Sequence, residues 1–501
     1  MKRVPLSLSR WLTTERLLLL LAPGILVLLS LNKIGDPDLW WHLKAGEWIL
    51  DHRAIPQNGL WSWAGEEREW LAHEWLFEVL AAGLYRLAGL RALVVAKALL
   101  AGVAFLLVAR HARVRGGSAG LASVLTLWAG LAALPFITER PQLLTYILTA
   151  FFLSVLDGWQ RGERRSLWIL PPLVMVWANL HGAYVVAFLL FGAYGVGEIA
   201  VQGRRWADGK PAEWSRARHL GMVAAASLAL ALVNPHGLAL LAYPFRYAGA
   251  KTLTRYVQEW FSPDFRDARF HPFGLFLIFT LATMAVSPLR PRVSRLLVLL
   301  IFTALALYSQ RNVPLMLIAA VPILAEHLAP LARERSGGKT ALRPLGQLYA
   351  VNWAALAVLL VLIGSRLPRG PGWRDPVWSD TVPKGAVSYL KAHSMPGRMM
   401  NDYAWGGYLI WALAPQYKVF IDGRADIYGD EVIEDFVTVW RVQPGWDEVL
   451  EKYRIDWMLW PKTSTVTQIL RASPAWQVTY EDKQAVLFTR SLARGDRASE
   501  R

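Results

Sequence analysis

The 501-residue sequence contains no cysteine and few charged residues for its apolar content. Without Cys, the chain cannot use a thiolate nucleophile, an iron–sulfur cluster, a Cys-ligated zinc ion or a disulfide framework. Charged residues make up 18% of the chain and apolar residues 54%, whereas soluble proteins have about 25% and about 45–50%. This balance excludes a soluble single domain and a disordered chain, and it favours a membrane protein.

Acidic residues are also scarce, with 38 Asp and Glu against 54 Lys and Arg, which gives a formal net charge of +16. The basic residues occur in short clusters between long apolar runs, as the positive-inside rule produces in membrane proteins. A nucleic-acid-binding protein would instead concentrate them on one face of a polar domain. We therefore expect membrane lipids and no nucleic acid as partners, and the 25 Trp suit the two lipid–water interfaces.

Several sequence motifs are missing as well. The chain has no GxGxxG or Walker A arrangement and no obvious internal repeat. Its one GxSxG match, GGSAG (116–120), lies between two predicted spans and not in the strand–turn–helix that a serine hydrolase requires. ATP-driven and serine-hydrolase functions therefore have no support in the sequence.

Apolar runs long enough to be membrane spans, for which about 20 residues suffice, recur along the first 366 residues. We predict about 11 crossings, roughly at 11–33, 91–110, 117–136, 142–158, 166–180, 183–202, 219–235, 271–288, 295–309, 312–330 and 347–365. The first is read as a retained signal-anchor preceded by Lys2, Arg3 and Arg10. The segment 75–89 is short and contains Glu78 and Arg86, so we expect a helix in the outer interface or a partial insertion there. A full crossing would reverse the side of everything that follows.

Basic clusters indicate the orientation of these spans. Those expected on the cytoplasmic side are Arg110/Arg113/Arg115, Arg161/Arg164/Arg165, Arg204/Arg205/Lys210, Arg290/Arg292/Arg295 and Arg333/Arg335/Lys339. The N-terminus is then cytoplasmic, and the polar motifs between the other span ends gather on the outer side of a bacterial inner membrane. Because ionisable residues at membrane depth are unfavourable, a one-sided set of them predicts a functional site.

The chain is therefore predicted to have two domains. Residues 1–366 form a multispan transmembrane domain with a first outer loop at 34–74, and residues 367–501 form a soluble extracytoplasmic α/β domain. In the latter we expect helices near 385–393 and 405–413. Strands are expected at 398–402, 418–422, 455–460, 476–482 and 485–490.

The segment GDPDLWWHLKAGEWIL (35–50) is the clearest candidate for a catalytic motif. Asp36 and Asp38 are separated by one proline, so their carboxylates can share a divalent cation or one can act as a general base. The alternative is structural, because Asp38 is also a suitable N-cap for a helix over 39–50. A divalent cation, Mg²⁺ or Mn²⁺, is the candidate cofactor, with Asp36 and Asp38 as its candidate ligands.

The other candidate site residues are polar residues near the outer ends of predicted spans. They are His42 in the first motif, His73 and Glu74 in HEW, Arg140 in TERPQ, His181 in NLHG, His236 in NPHG, Glu259 in VQEW and Arg311 in SQRN. Arginine binds phosphate through a planar, bidentate fork, so Arg140 and Arg311 suit an anionic headgroup. Each residue alone is better explained as a helix cap or as a satisfied structural residue. It is the whole set that indicates a site.

The segment VFIDGRADIYGDEV (419–432) is the most conspicuous part of the C-terminal region. It places Asp422, Arg424 and Asp426 after a predicted strand, where α/β folds bind ligands. Turn chemistry explains the same residues without any ligand, and we expect the structural role.

Together, DPDLWWHLKAGEWI, HEW, ERPQ, NLHG and the NDYAWGGYLIW…VFIDGRADIYGD pattern resemble the GT-C superfamily of membrane glycosyltransferases, in a bacterial branch. The resemblance implies a GT-C-like fold of about 11 spans with a C-terminal α/β domain. It further implies a polyprenyl-phosphate-linked sugar donor, an inverting transfer at the outer face and a first-loop acid at Asp36 or Asp38. The acceptor would be a glycan, a lipid or a protein.

These features predict an integral membrane glycosyltransferase in which a first-loop carboxylate activates the acceptor while Arg140 and Arg311 stabilise the leaving lipid phosphate. Two alternatives remain open. One is a transporter or flippase for an anionic lipid-linked substrate, which predicts polar residues on both faces. The other is a polymerase or ligase for surface polysaccharide.

Overall fold

The computed structural model describes residues 10–249, 251–335, 348–369, 373, 375–377 and 382–491. The chain divides into two compact units. The helical unit comprises Met1–Asn32, Leu90–Pro244 and Val257–Arg374, and the α/β unit comprises Lys33–Gly89, Phe245–Tyr256 and Asp375–Arg501. Of the basic residues used to predict orientation, Lys2, Arg3 and Lys339 lie outside the described residues. The predicted domain boundary at 366/367 stays a prediction.

The helical unit consists of long apolar helices. They are α1 (Thr14–Ser30), the second part of α3 (Trp75–Gly116), α4 (Ala119–Ala133), α5 (Gln142–Gln160), α6 (Leu170–Leu180), α7 (Val185–Ala207), α8 (Ser215–Ala231), the first part of α9 (Leu238–Gly249), α11 (His271–Val286), α12 (Val293–Tyr308), α13 (Val313–Arg335) and α14 (Tyr349–Arg366).

Within the described ranges, seven helices are long and apolar enough to cross a membrane. They are Trp75–Gly116, Ala119–Phe136, Gln142–Gln160, Gly182–Ala207, Ala268–Val286, Gln310–Leu331 and Tyr349–Arg366, and each contains or overlaps a predicted span. Four further predicted spans coincide with the shorter helices α1, α6, α8 and α12. The polytopic α-helical membrane fold is confirmed, while the count of about 11 crossings stays a prediction.

Small residues and exposed apolar side chains explain how this unit is arranged. Gly102 of α3 and Gly130 of α4 face Val27 and Leu26 of α1, so that these helices approach closely, as is common in membranes. On α14, by contrast, Val361 is 70% exposed, and most of that helix is unburied within the unit. An apolar helix surface of this kind suits contact with lipid.

The segment at 75–89, whose position the sequence left ambiguous, is the first part of helix α3. The segment is helical, as predicted, but it continues into the following span through a break at Gly89, whose backbone has φ 71° and ψ −175°. Only glycine adopts a positive φ of this kind without strain, so Gly89 lets the helix change direction. The interfacial position of residues 75–89 stays a prediction.

The α/β unit combines the segment after α1 with the C-terminal part of the chain. Its helices are α2 (Leu39–His52), the first part of α3, α10 (Lys251–Tyr256), α15 (Lys384–Ala392), α16 (Tyr403–Leu413), α17 (Gly429–Trp440), α18 (Trp446–Lys452) and α19 (Thr465–Ala472). Its strands are β1 (Arg398–Asn401), β2 (Ile455–Pro461), β3 (Trp476–Glu481) and β4 (Ala485–Arg490). The sheet order is β1-β2-β4-β3, with β1 parallel to β2 and the other pairs antiparallel.

One predicted strand is wrong. Residues 418–422 do not join the sheet, and they form only an isolated bridge between Val419 and Ser62. The backbone of Val419 exchanges hydrogen bonds with the backbones of Trp61 and Trp63. The buried Asn401 side chain accepts from the Phe420 N–H at 2.8 Å and donates to the Ile421 carbonyl at 2.8 Å. These partners satisfy the extended segment without a neighbouring strand.

Candidate functional site

Asp36 and Asp38 lie in the turn that leads into α2. Asp36 is buried, and its Oδ1 accepts a hydrogen bond from the Asp38 N–H at 2.9 Å. Asp38 occupies the N-cap position of α2, as the structural alternative predicted, but its side chain accepts no capping hydrogen bond. Its backbone is already helical (φ −83°, ψ −23°), whereas a capping residue usually adopts an extended conformation.

Two glycines of the C-terminal segment are in close contact with this turn. A Cβ placed on Gly423 would overlap Asp38 Oδ1 and would lie 2.9 Å from both Asp38 Cγ and Trp41 Nε1. A Cβ on Gly407 would lie 2.6 Å from the Pro37 carbonyl oxygen. Trp40 packs against Tyr408 and Trp411 of α16 with ring centroids 5.1 and 5.0 Å apart. These contacts explain why glycine occupies both positions.

The predicted residues His42, His73 and Glu74 come together in the α/β unit. Glu74 lies next to both histidines, with His42 Nε2 3.6 Å and His73 Nε2 3.4 Å from its carboxylate oxygens. Glu78, which was not predicted as a site residue, lies 3.5 Å from His42 Nδ1. Burial lowers the pKa of His73, but the charge and hydrogen bond of Glu74, together with the charge of Asp426 and the Leu71 backbone, outweigh it and raise this pKa above its ordinary value. The row thus alternates carboxylates and imidazoles, an arrangement able to hold or move a proton.

The conspicuous DGRAD segment is buried. Arg424 forms two hydrogen bonds to Asp422, from Nε at 2.9 Å and from Nη2 at 2.8 Å, and Tyr428 also donates to this carboxylate. The guanidinium lies over the rings of Trp61 and Trp70. Burial opposes ionisation of Asp422, but Arg424 outweighs it and holds the pKa of Asp422 below its usual value. These hydrogen bonds tie the Asp422 carboxylate to its own segment, although Arg424 Nη1 has no hydrogen-bond partner among the described residues. The pairing favours the structural role expected from turn chemistry.

The groups around Asp36 and Asp38 show which kind of divalent-cation site these two carboxylates could form. In the part of the chain that the structure describes, no group of three or more His, Asp or Glu side chains is arranged to hold a metal ion. Mg²⁺ is commonly held by one or two carboxylates, with substrate phosphate and water completing its coordination. Two neighbouring carboxylates fit that mode of binding and do not fit a cage made of protein ligands alone.

In the helical unit, two predicted arginines share one predicted carboxylate. Arg140 Nη1 donates to Glu259 Oε2 at 2.8 Å, and Arg311 Nη1 lies 3.8 Å from Glu259 Oε1. Ser309 Oγ donates to the Glu259 carbonyl at 2.9 Å, which ties the loop of Glu259 to that of Arg311. The Arg311 guanidinium also lies over Trp260, 4.7 Å from its ring centroid. Two positive charges and one negative charge leave a net charge of +1 on the triad.

A pocket enclosing about 500 Å³, including its opening, lies beside this triad. Its lining includes Gln142, Thr145, Tyr146, His181, Glu259 and Arg311. Of these, His181, Glu259 and Arg311 were predicted from the sequence. Gln142, Thr145 and Tyr146 were not, because they lie on α5 and resemble ordinary helix residues. His236 does not line the pocket. It lies in the turn between α8 and α9, where its N–H donates to Asn234 Oδ1 at 2.7 Å.

The helical unit contains a further buried ion pair whose two residues were not predicted as site residues. Lys97 forms an ion pair of 2.6 Å with Glu139 of the TERPQ motif and donates to the Asn32 side chain. Lys97 was detectable as a lone lysine inside an apolar run, because such residues are rare at membrane depth.

A second buried polar network lies in the helical unit. At the other end of α5, Asp157 accepts hydrogen bonds from Tyr194 at 2.8 Å and Arg295 at 3.0 Å and pairs with His111 at 2.8 Å. Arg115 and Arg295 both pair with Glu326. These two arginines were predicted to mark loops. Both are buried inside helices, since α3 continues to Gly116 and α12 begins at Val293.

The long apolar helices and the smaller sheet-containing unit define a polytopic membrane protein with an attached α/β unit. Solved structures identify its fold more closely. The oligosaccharyltransferase AglB from Archaeoglobus fulgidus, in complex with an inhibitory peptide and a dolichol-phosphate, is similar at a TM-score of 0.56 and 12% identity over 88% of this chain and 69% of that chain. The same enzyme tethered to an acceptor peptide gives 0.54 and 11% over the same shares.

A third match is ArnT from Cupriavidus metallidurans bound to undecaprenyl phosphate, with a TM-score of 0.49 and 14% identity over 95% of this chain and 98% of that chain. No protein-family model matches the sequence, and no curated protein is significantly similar to it. The similarity to AglB shows that the chain has the GT-C fold, as its sequence resemblance implied.

Proposed function

We propose that the protein is a membrane glycosyltransferase that transfers a sugar from a polyprenyl-phosphate-linked donor to an acceptor. The observation that carries the proposal is the pair of arginines sharing Glu259 beside a pocket in the membrane-spanning unit. The fold is also that of a glycosyl-transferring enzyme whose solved complex contains a dolichol-phosphate.

The donor is proposed to bind through its phosphate to Arg140 and Arg311. The formal charges of Arg140, Arg311 and Glu259 sum to +1, which suits a phosphate. A guanidinium that is half-buried binds a phosphate oxygen more strongly than one in bulk water. The charge that develops on the leaving lipid phosphate during transfer would be stabilised by the same two groups.

The acceptor is proposed to be activated by the first-loop carboxylates. One of Asp36 and Asp38 would take the proton from the acceptor hydroxyl or amine, which then attacks the anomeric carbon of the sugar. The row His42, Glu74 and His73 would bind the acceptor or the donor sugar through hydrogen bonds. Where a divalent cation is bound, Asp36 and Asp38 would hold it, and it would supply positive charge to the donor phosphate.

We further propose the orientation implied by the basic clusters. The N-terminus would be cytoplasmic, and the α/β unit would lie on the outer side of the inner membrane. The acceptor would then be a glycan, a lipid or a protein that is exposed outside the cytoplasm.

The purified protein should release lipid phosphate from at least one member of a panel of labelled polyprenyl-phosphate sugars. Asp36→Asn and Asp38→Asn should each abolish or strongly reduce release, while Asp51→Asn, at an exposed ion pair with Arg86 in the same unit, should retain it. Arg140→Gln and Arg311→Gln should weaken binding of the donor, with the exposed Arg269→Gln as the matched control. Full activity in both Asp variants would contradict the assignment.

A flippase for an anionic lipid-linked substrate is the second candidate. The observation in its favour is the buried network around Asp157, because it places charged groups at the end of α5 opposite to Thr145. Liposomes containing the protein and a fluorescent prenyl phosphate separate the two functions. A flippase moves the lipid between leaflets without an acceptor, whereas a transferase leaves its distribution unchanged.

A further inference from the structure

A chain of three buried side chains fixes one residue of the pocket in a defined chemical state. Trp177 Nε1 lies 2.8 Å from Thr145 Oγ1, and Thr145 Oγ1 lies 2.8 Å from His181 Nδ1. Trp177 and Thr145 are essentially inaccessible to solvent, and His181 is 6% exposed. Thr145 and His181 both line the pocket that contains Arg311.

The direction of these hydrogen bonds follows from the chemistry of the groups. An indole Nε1–H can only donate, so Thr145 Oγ1 accepts from Trp177. The Thr145 hydroxyl has a single proton, and the only acceptor for it among the described residues is His181 Nδ1. If Nδ1 carried a proton, the buried hydroxyl proton would have no acceptor, which is unfavourable. His181 Nδ1 is therefore the unprotonated nitrogen, and the ring proton is on Nε2.

The backbone holds this chain in place. His181 ends α6 with an extended backbone, and its N–H donates to the Trp177 carbonyl at 2.9 Å. The Trp177 ring packs edge-on against Phe152 at 5.4 Å. The indole and the imidazole are thus held on consecutive turns at the end of one helix, and Thr145 of α5 lies against both.

We propose that His181 is a phosphate-binding donor held as its neutral Nε2–H tautomer, and that Thr145 and Trp177 are the residues that position it. The ligand is a prenyl phosphate, and this part rests on the proposed function. A neutral imidazole gives the phosphate a directed N–H without adding a third positive charge to Arg140 and Arg311. It cannot act as a base through Nδ1, because that nitrogen accepts from Thr145.

The tautomer can be measured without any activity. The full-length protein in detergent, labelled with ¹⁵N-histidine, is compared with His181→Gln to assign the His181 ring signals. We expect an unprotonated Nδ1 and a protonated Nε2. Thr145→Ser should preserve this pattern, and Thr145→Val should let the Nδ1–H form appear. A protonated Nδ1 in the unaltered protein would overturn the inference, whatever reaction the protein catalyses.

Binding of farnesyl phosphate tests the second part. The amide nitrogen of a Gln side chain at this position reaches about as far as the His181 Nε2. That of an Asn side chain reaches only about as far as Nδ1. His181→Gln should therefore bind within about threefold of the unaltered protein, and His181→Asn should bind roughly 10-fold to 100-fold more weakly, as expected for a lost hydrogen bond to a charged group. Equal affinity in both variants would refute the donor role of His181. Unchanged affinity in Arg311→Gln would instead contradict the proposed function.

Discussion

Gly423→Ala tests directly whether the position of the Asp38 carboxylate matters for transfer. The new Cβ would lie 2.9 Å from Asp38 Cγ and Trp41 Nε1, whereas non-bonded carbon atoms prefer at least about 3.5 Å. The Trp41 indole is held by the His42 ring, 3.6 Å away, and by Trp70. To reach ordinary contact distances, the Asp38 carboxylate must therefore retreat by at least about 0.6 Å, and Gly423 and Trp41 must also separate by a similar amount.

A displacement of this size has different effects on activity and on stability. A misplacement of about 1 Å in a reacting group can reduce a rate about 100-fold, so we expect a loss of about that size in the release of lipid phosphate. The free energy of unfolding should fall by only about 1–3 kcal/mol, the usual effect of one extra methyl group in a packed region. The thermal midpoint in detergent and the transfer rate are measured on the same preparation.

Two other glycines serve as comparisons for Gly423. Gly83→Ala adds a methyl group where no atom lies within 4 Å, so it should leave the rate unchanged. Gly407→Ala is directed at the Pro37 carbonyl, 2.6 Å from the new Cβ. Because backbone must move there, it should reduce both the rate and the stability. A stable Gly423→Ala protein with an unaltered rate would refute the reasoning, since the Asp38 carboxylate would then have moved without consequence.

Three further predictions concern charged groups. Burial raises the pKa of Asp402 to about 6. Because the folded state then binds the proton more tightly than the unfolded state, the stability of the unaltered protein relative to Asp402→Asn should fall as pH rises from about 4 to about 6. A thermal midpoint independent of pH in both proteins would contradict this. Asp157→Asn should destabilise the protein by about 3–5 kcal/mol, because it removes the carboxylate that pairs with buried His111 and leaves Arg295 with Glu326 as its remaining acidic partner. The exposed Asp208→Asn should have little effect on the thermal midpoint. Glu259→Gln should bind farnesyl phosphate more tightly and with a steeper dependence on salt, since the Glu259 carboxylate no longer offsets the charge of the two guanidiniums. Weaker binding would show that Glu259 is needed to place Arg140 and Arg311.

The sequence predicts the helical body well because the bilayer demands long apolar runs with paired backbone groups. It also selects Glu259, Arg140 and Arg311, since charged residues near span ends are conspicuous. It does not reveal that they meet, because Arg140 and Glu259 are 119 residues apart and no periodicity links them. Thr145 escapes notice because a threonine in an apolar helix usually bonds its own backbone. Its partner in α6 is apparent only in three dimensions.

The prediction of a strand at 418–422 was wrong for a related reason. A short apolar run predicts an extended backbone, but it does not say which groups will pair with that backbone. Here the Asn401 side chain and the segment Trp61–Trp63 supply the partners. The sequence contains both, but neither alternates in the way that a neighbouring strand would.

The C-terminal segments that look most like a catalytic motif are better explained by what they support within the α/β unit. Asp422 and Arg424 pair with each other, and the Arg424 guanidinium lies over the rings of Trp61 and Trp70 of the first loop. Gly423 gives room to the carboxylate of Asp38, and Val419 pairs with Ser62. Substitutions in this segment should therefore reduce transfer by displacing Asp38, even though none of its residues need touch a sugar. The matched comparison of Gly423→Ala with Asp38→Asn distinguishes this support from direct catalysis, because the two defects should then not add when combined.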